Sequence, residues 1–106
     1  MINENPIPTK ITLHKISRTL EVEFDNNERF VLPCAYLRAF SPSADMRHNK
    51  EKKQQDYRQV NILSIEPVGQ YAIKPIFSDG HSTGIYSWKM LYELGINQST
   101  NWPAEK

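Results

Sequence analysis

The sequence predicts a small α+β domain of mostly antiparallel short strands with two short helices. Three observations carry this reading. Apolar residues alternate with polar ones along several runs, as half-buried strands require. Turn chemistry (Asp25-Asn26-Asn27-Glu28 and Asp79-Gly80) separates consecutive runs by only a few residues, which suits hairpins and not crossovers. Helical spacing is confined to two brief segments. A chain of 106 residues forms one domain and can bury about 65% of its unfolded surface in a single modest core.

In chain order, Met1 to Pro8 is polar and contains Pro6 and Pro8, a loose lead-in. From Thr9, Ile11 and Leu13 point one way with Thr12 and His14 opposite; Ile16 breaks the phase, so the strand ends near Lys15, and Ser17-Arg18 turns the chain. Leu20, Val22 and Phe24 then alternate with Glu21 and Glu23, and Arg29 to Leu32 return as a partner strand, giving an antiparallel meander over residues 9–32. Pro33 suits the first turn of a short helix, whose apolar side is Tyr36, Leu37 and Phe40, and Ser41-Pro42-Ser43 ends it. Asp45 to Arg58 holds almost nothing to bury and mixes Lys50, Lys52 and Lys53 with Glu51 and Asp56, the composition of a solvated loop or frayed helix.

Strand character resumes from Val60 to Ile65, with the phase changing between Ile62 and Leu63, and Pro67-Val68-Gly69 punctuates it. Tyr71, Ile73, Pro75 and Phe77 form the next alternating run; Pro75 cannot donate to a ladder, so the strand is an edge or bulges there. Asp79-Gly80 turns a hairpin whose return arm runs from about His81 to Tyr86. Ser87 is a natural N-cap, Trp88, Leu91 and Leu94 recur at helical spacing, and Gly95 is expected to stop the helix. The segment 96–106 reads as a polar tail in which Trp102 either tucks back or stays exposed.

Composition excludes several function classes. The net charge of +1 gives no general attraction to nucleic acid or anionic membrane, and a few lysines among acids between Arg47 and Arg58 carry little specificity. No apolar run approaches the ~20 residues of a membrane span. A single cysteine, Cys34, rules out an internal disulfide and fits a reducing compartment; with no signal-peptide pattern at the N-terminus, a cytoplasmic location is expected.

Potential metal donors are Cys34, His14, His48 and His81, but no two of them have the close pairing that structural zinc sites show. The residues two places after the histidines are Ile16, Lys50 and Thr83, so the His-x-Asp/Glu element of an iron facial triad is missing. Cys34 with His81, or a serine with a histidine and Asp79, could be drawn as a nucleophilic set, yet no nucleophile elbow or phosphate-binding glycine motif accompanies them. His81, just after a tight turn, has a structural use in bonding turn carbonyls or Asp79. The aromatic residues of the hairpin and helix, with Arg38 beside Leu37, are suited either to packing or to an interface.

Taken together, Leu32 to Asp45, the opening strand pair, and Ile65 to Gly95 with its Gly69-Gln70-Tyr71-Ala72-Ile73 and Asp79-Gly80-His81 elements followed by Gly84-Ile85-Tyr86-Ser87-Trp88, resemble the DUF971 family. This is the small domain found at the N-terminus of γ-butyrobetaine hydroxylase and related carnitine-pathway oxygenases, and the likeness spans roughly residues 9–95. The resemblance implies a compact α+β domain. In the oxygenases that domain binds zinc through three cysteines after an aromatic-Leu-Arg element and a histidine. By position Tyr36-Leu37-Arg38 matches the element, His81 matches the histidine, and the cysteines fall at Ser41, Ser43 and Met46. Three of the four ligands are therefore replaced, Cys34 is not one of them, and any metal role left to this chain centres on His81. The iron-binding oxygenase domain is not in the chain. The same domain occurs fused to iron–sulfur carrier ATPases and standing alone.

The expectation is a non-enzymatic, cytoplasmic protein-interaction or accessory module without catalytic residues or cofactor, linked to iron–sulfur or metal-cofactor maintenance. Its protein partner would bind a face made of Arg38, His81, Tyr86 and Trp88. The alternative is a zinc- or iron-binding accessory domain using His81 and Cys34 with ligands from a second chain.

Overall fold

The computed structural model describes residues 6–41, 57–82 and 84–102. The charged stretch expected to be a solvated loop lies, up to Asp56, outside the described residues, as do Ser43 and Met46. Six strands and three helices follow in the order β1 (Pro8–His14), β2 (Thr19–Phe24), β3 (Arg29–Pro33), α1 (Cys34–Ala39), β4 (Ile62–Val68), β5 (Ala72–Phe77), β6 (Tyr86–Ser87), α2 (Trp88–Ile96) and α3 (Gln98–Asn101). They build two three-stranded antiparallel sheets, β1-β2-β3 and β4-β5-β6, so the fold is α+β.

The meander is the predicted one. Leu20, Val22 and Phe24 on β2 and Leu32 on β3 are buried, because their alternation puts every second side chain on the inner face. The opposite face is charged: the Glu21 carboxylate lies between His14 Nε2 (2.9 Å) and Arg29 Nη1 (3.0 Å). The hydrogen bond from His14, helped by the Arg29 charge, holds that carboxyl below the usual carboxylate range. β1 ends at His14, and Ile16, which breaks the alternation, is fully exposed in the following turn.

In the second sheet the register shifts between Ile62 and Ser64, so Leu63 is the extra residue of a bulge and turns outward. This is the phase change seen in the sequence. Pro75 lies on the central strand in sheet order, but β6 pairs only through Ala72↔Ser87 and Ile73↔Tyr86. At Pro75, β5 is thus a local edge and the missing N–H interrupts no ladder on the β6 side. Tyr71 belongs to the β4–β5 turn and is exposed; Gly69, at φ +56°, supplies the left-handed corner there.

Three expectations are corrected. The return arm after Asp79-Gly80 is a strand only at Tyr86–Ser87; the His81 carbonyl still accepts Phe77 N at 2.9 Å, while its ring is turned to Ser41 at the end of α1. Gly95 does not stop α2, which continues to Ile96 and is capped at Asn97. A Cβ on Gly95 would lie 2.4 Å from Phe30 Cγ, so this glycine lets the helix press against the ring. Third, the polar tail begins with a third helix, α3, which brings Trp102 back against Tyr36 and Phe40, at ring-centroid distances of 5.5 and 6.4 Å. Ser87 caps α2 as expected, its Oγ accepting from Met90 N at 3.1 Å.

Gly95→Ala tests the close-packing role. Alanine is the better helix former by about 1 kcal/mol, so a mere stop or linker position would gain stability. With Phe30 wedged edge-on against Phe24 and Tyr92, the ring has little room to withdraw. Urea unfolding is expected to show a net loss of about 1–3 kcal/mol.

Candidate functional site: a polar cluster at the end of α1

Residues distant in sequence meet where α1 ends. The last turn of α1 projects Arg38, whose Nε donates to Asp79 Oδ2 at 2.8 Å across 41 residues of sequence. The guanidinium lies 5.3 Å from the centre of the Tyr57 ring, a cation–π stack beside a charge-assisted hydrogen bond. Just past the helix, the Ser41 hydroxyl is 2.8 Å from His81 Nε2. The other Asp79 oxygen, Oδ1, accepts the main-chain N–H of His81 at 3.1 Å. An Asp that bonds the backbone two residues on is the common way to hold a tight turn, and Gly80 completes it at φ +93°.

Beneath this surface Tyr86 is fully buried and its hydroxyl donates to the Leu37 carbonyl. Burial pushes its phenol well above the usual range, with the Ser41 hydroxyl and the Arg38 charge partly opposing, so it stays a protonated donor. Among the described residues no buried side-chain nitrogen or oxygen lacks a hydrogen-bond partner.

The four residues expected to share a binding face are therefore divided. Arg38 and His81 meet at the Asp79 turn, partly exposed. Tyr86 lies under them and presents no surface; the correction follows from its place on β6, facing the core. Trp88 is at the other end of β5, roughly 17 Å of strand away, where its indole N–H donates to the Gln70 carbonyl at 2.8 Å. Sequence reasoning gave Asp79 a turn role, a bond to His81 and a place in a conceivable triad, and it missed both its pairing with Arg38 and Tyr57 as a stacking platform; a single tyrosine at the edge of a charged stretch carries no pattern that points to Arg38.

The arrangement bears on the chemistry considered above. Asp79 directs one oxygen to Arg38 and the other to the His81 main chain, so it does not orient the imidazole as a triad acid would. Ser41 is fully buried and its hydroxyl faces His81 instead of solvent. Cys34 is at the opposite end of α1, buried, with its thiol directed at Asn61 Oδ1 (3.7 Å); burial pushes its pKa up, away from a reactive thiolate. Among the described residues no three of His, Cys, Asp and Glu are grouped as metal ligands. The zinc site that the resemblance implies does not fit these donors: Ser41 does lie against His81, but it offers a neutral hydroxyl where zinc takes a thiolate, and Ser43 and Met46 are a hydroxyl and a thioether.

Fold and site define a small α+β domain with an internally hydrogen-bonded polar cluster at one helix end. The chain belongs to the family described as gamma-butyrobetaine hydroxylase-like, N-terminal, which matches residues 11–92. A crystal structure of a protein of unknown function from Acidithiobacillus ferrooxidans, in the DUF971 family, is similar at TM-score 0.73 and 33% identity, over 83% of this chain and 91% of that one. Two solution NMR structures are also similar. One is 43% identical at TM-score 0.75, over 96% of this chain and 80% of that one. The other is 33% identical at TM-score 0.74, over 96% and 94%. No curated protein matches the chain.

Burial, and next the Arg38 charge, lower the His81 pKa, with Asp79 opposing. The folded state therefore binds a proton less readily than the unfolded chain. The stability associated with neutral His81 is complete above the ordinary histidine pKa of about 6.5 and declines as pH falls through the lower folded value. An NMR titration of the imidazole should give an apparent pKa below 6.5. Arg38→Gln should raise it, because that change removes a repelling cation and frees Asp79 to attract the proton.

Proposed function

We propose that this chain is a non-enzymatic accessory module of the cytoplasm that binds another protein through the surface formed by Arg38, Asp79, His81 and Tyr57. The observation that carries the reading is the Arg38–Asp79 pair on the Tyr57 ring: an arginine preorganised by stacking and ion pairing and partly open to solvent. Arginine and tyrosine held this way lose little freedom on docking, which is why such residues anchor interfaces. Below them, Tyr86 and Ser41 fix the backbone of the helix end and the turn, so the surface is a rigid one.

The proteins it serves, in this proposal, handle iron–sulfur or other metal cofactors. Support comes from the family, described as gamma-butyrobetaine hydroxylase-like, N-terminal, and from the resemblance of the sequence to domains fused to iron–sulfur carrier ATPases. No helix among the described residues is long and apolar enough to cross a membrane. Metal carriage by this chain itself is the less supported reading, given a single imidazole, His81, with the neutral hydroxyl of Ser41 beside it.

The test is affinity capture with the untagged surface intact, comparing the wild-type chain with Arg38→Ala/Asp79→Ala and with Trp88→Phe. Removing both members of the pair avoids stranding a charge. A partner retained by wild type and by Trp88→Phe, and depleted about tenfold or more by the double variant, is the expected result. Equal retention by all three, with folding verified by amide NMR spectra, would refute the assignment of this surface. Elemental analysis of untagged protein should find less than about a tenth of an equivalent of zinc or iron; a full equivalent would replace the proposal with the metal-binding one.

A further inference from the structure

The two sheets differ on the faces they turn away from the core. On the first, β1, β2 and β3 present Lys10, His14, Glu21, Glu23 and Arg29, the charged surface expected where an antiparallel sheet meets water. On the second, Ile73, Pro75 and Phe77 of β5 are buried in the core, so Lys74 and Ile76 fall on the outer face. The register sets Ser64 of β4 across from Ile76, and Glu66 across from Lys74. Leu63 at the bulge and Ile85, one residue before the inward Tyr86, are exposed as well. Where the first sheet shows charges, the second shows leucine and isoleucine around one ion pair, Lys74 Nζ to Glu66 Oε1 at 3.3 Å.

That arrangement is complementary to itself. A two-fold axis running along the strands, midway between β4 and β5, turns a second copy over so that its β4 lies on this β5. Each Glu66 then faces the second copy's Lys74, and the Leu63–Ser64 end of each β4 faces the second copy's Ile76. The outcome is a square of alternating charges next to apolar contact. A two-fold axis set across the strands would instead place Glu66 on Glu66 and Lys74 on Lys74, which repel.

We propose that the outer face of β4–β5–β6 docks a second copy of this chain, giving a closed two-fold dimer packed sheet on sheet. Leu63 and Ile76 supply the apolar surface withdrawn from water, Ile85 lies at the rim, and the Glu66 and Lys74 charges fix the register. By strand length and spacing the face measures roughly 20 Å by 15 Å. That is the small end of specific interfaces, so the dimer is a reversible one. Because the two-fold closes, no third copy adds to the pair. The proposal does not rest on the Arg38–Asp79 surface.

Sedimentation equilibrium of the full chain between about 10 µM and 1 mM should show monomer and dimer exchanging, with a dissociation constant on the order of 100 µM. Lys74→Glu and Glu66→Lys should each weaken the dimer about tenfold or more, because either change makes all the facing charges alike. Mixed in equal amounts, these two variants should pair with each other about as tightly as wild type, since every acid then meets a base. That recovery also shows that both are folded. Leu63→Ser should weaken the dimer about tenfold through lost apolar burial. A wild-type chain still monomeric at about 1 mM would overturn the proposal and leave the face to a different protein. Dimers that form equally well in both charge variants, or a mixture that fails to recover, would overturn it too.

Discussion

The two sheets share one apolar core, and polar side chains also cross between them, Asn61 most conspicuously. Its main chain exchanges bonds with Ser78 beyond the end of β5, N to Oγ at 2.9 Å and Ser78 N to the Asn61 carbonyl at 2.8 Å. Its amide donates to the Lys15 carbonyl in the β1–β2 turn at 2.9 Å, and its Oδ1 accepts from Ile62 N at 2.9 Å and from the Cys34 thiol. One side chain thus joins the first hairpin, the start of α1 and the second sheet. The two core tyrosines repeat the device. Tyr36 on α1 donates to the Leu94 carbonyl of α2 at 2.7 Å, and Tyr86 on β6 donates to the Leu37 carbonyl of α1. Helix α1 is only six residues long and would not persist alone; these cross-links and its buried Leu37 hold it, and through it the polar cluster.

What was legible in the sequence follows from which forces are local. Alternation along β2 and turn chemistry after it act within a few residues, and the first sheet's pairing could be read from them. Even the bulge at Leu63 shows as a broken phase. The length of α2 was misread because Gly95 carries two meanings, a left-handed stop or room for a neighbour, and only the position of Phe30 decides between them. The return arm after the Asp-Gly turn was overextended for a related reason: a hairpin signal specifies the turn, whereas the pairing beyond it depends on what else competes for the chain. Here the competitors are Ser41 and the α1 terminus.

The candidate surface was half legible. Arg38 and His81 carried a family likeness and do meet, through an Asp79 whose bond to Arg38 nothing in the sequence pointed to. Tyr86 and Trp88 belong to the same sequence string but leave it in opposite directions, one into the core and one toward the β4–β5 turn. Adjacency in a motif therefore signals shared folding as often as shared contact. The Ser41–His81 bond shows the same economy: a position paired with the histidine is kept as a hydrogen-bonded fastening between helix and turn, where a neutral hydroxyl suffices.

The interruption at Leu63 has a bearing on how the domain behaves among copies of itself. Strand β4 is outermost in its sheet, and an outermost strand offers unpaired backbone groups to any passing chain. The displaced residue at Leu63 and the proline at position 67 lie near its two ends, so an approaching strand would find no long uninterrupted run to pair with. The irregularities thus guard this edge of the second sheet against open-ended stacking of one domain on the next.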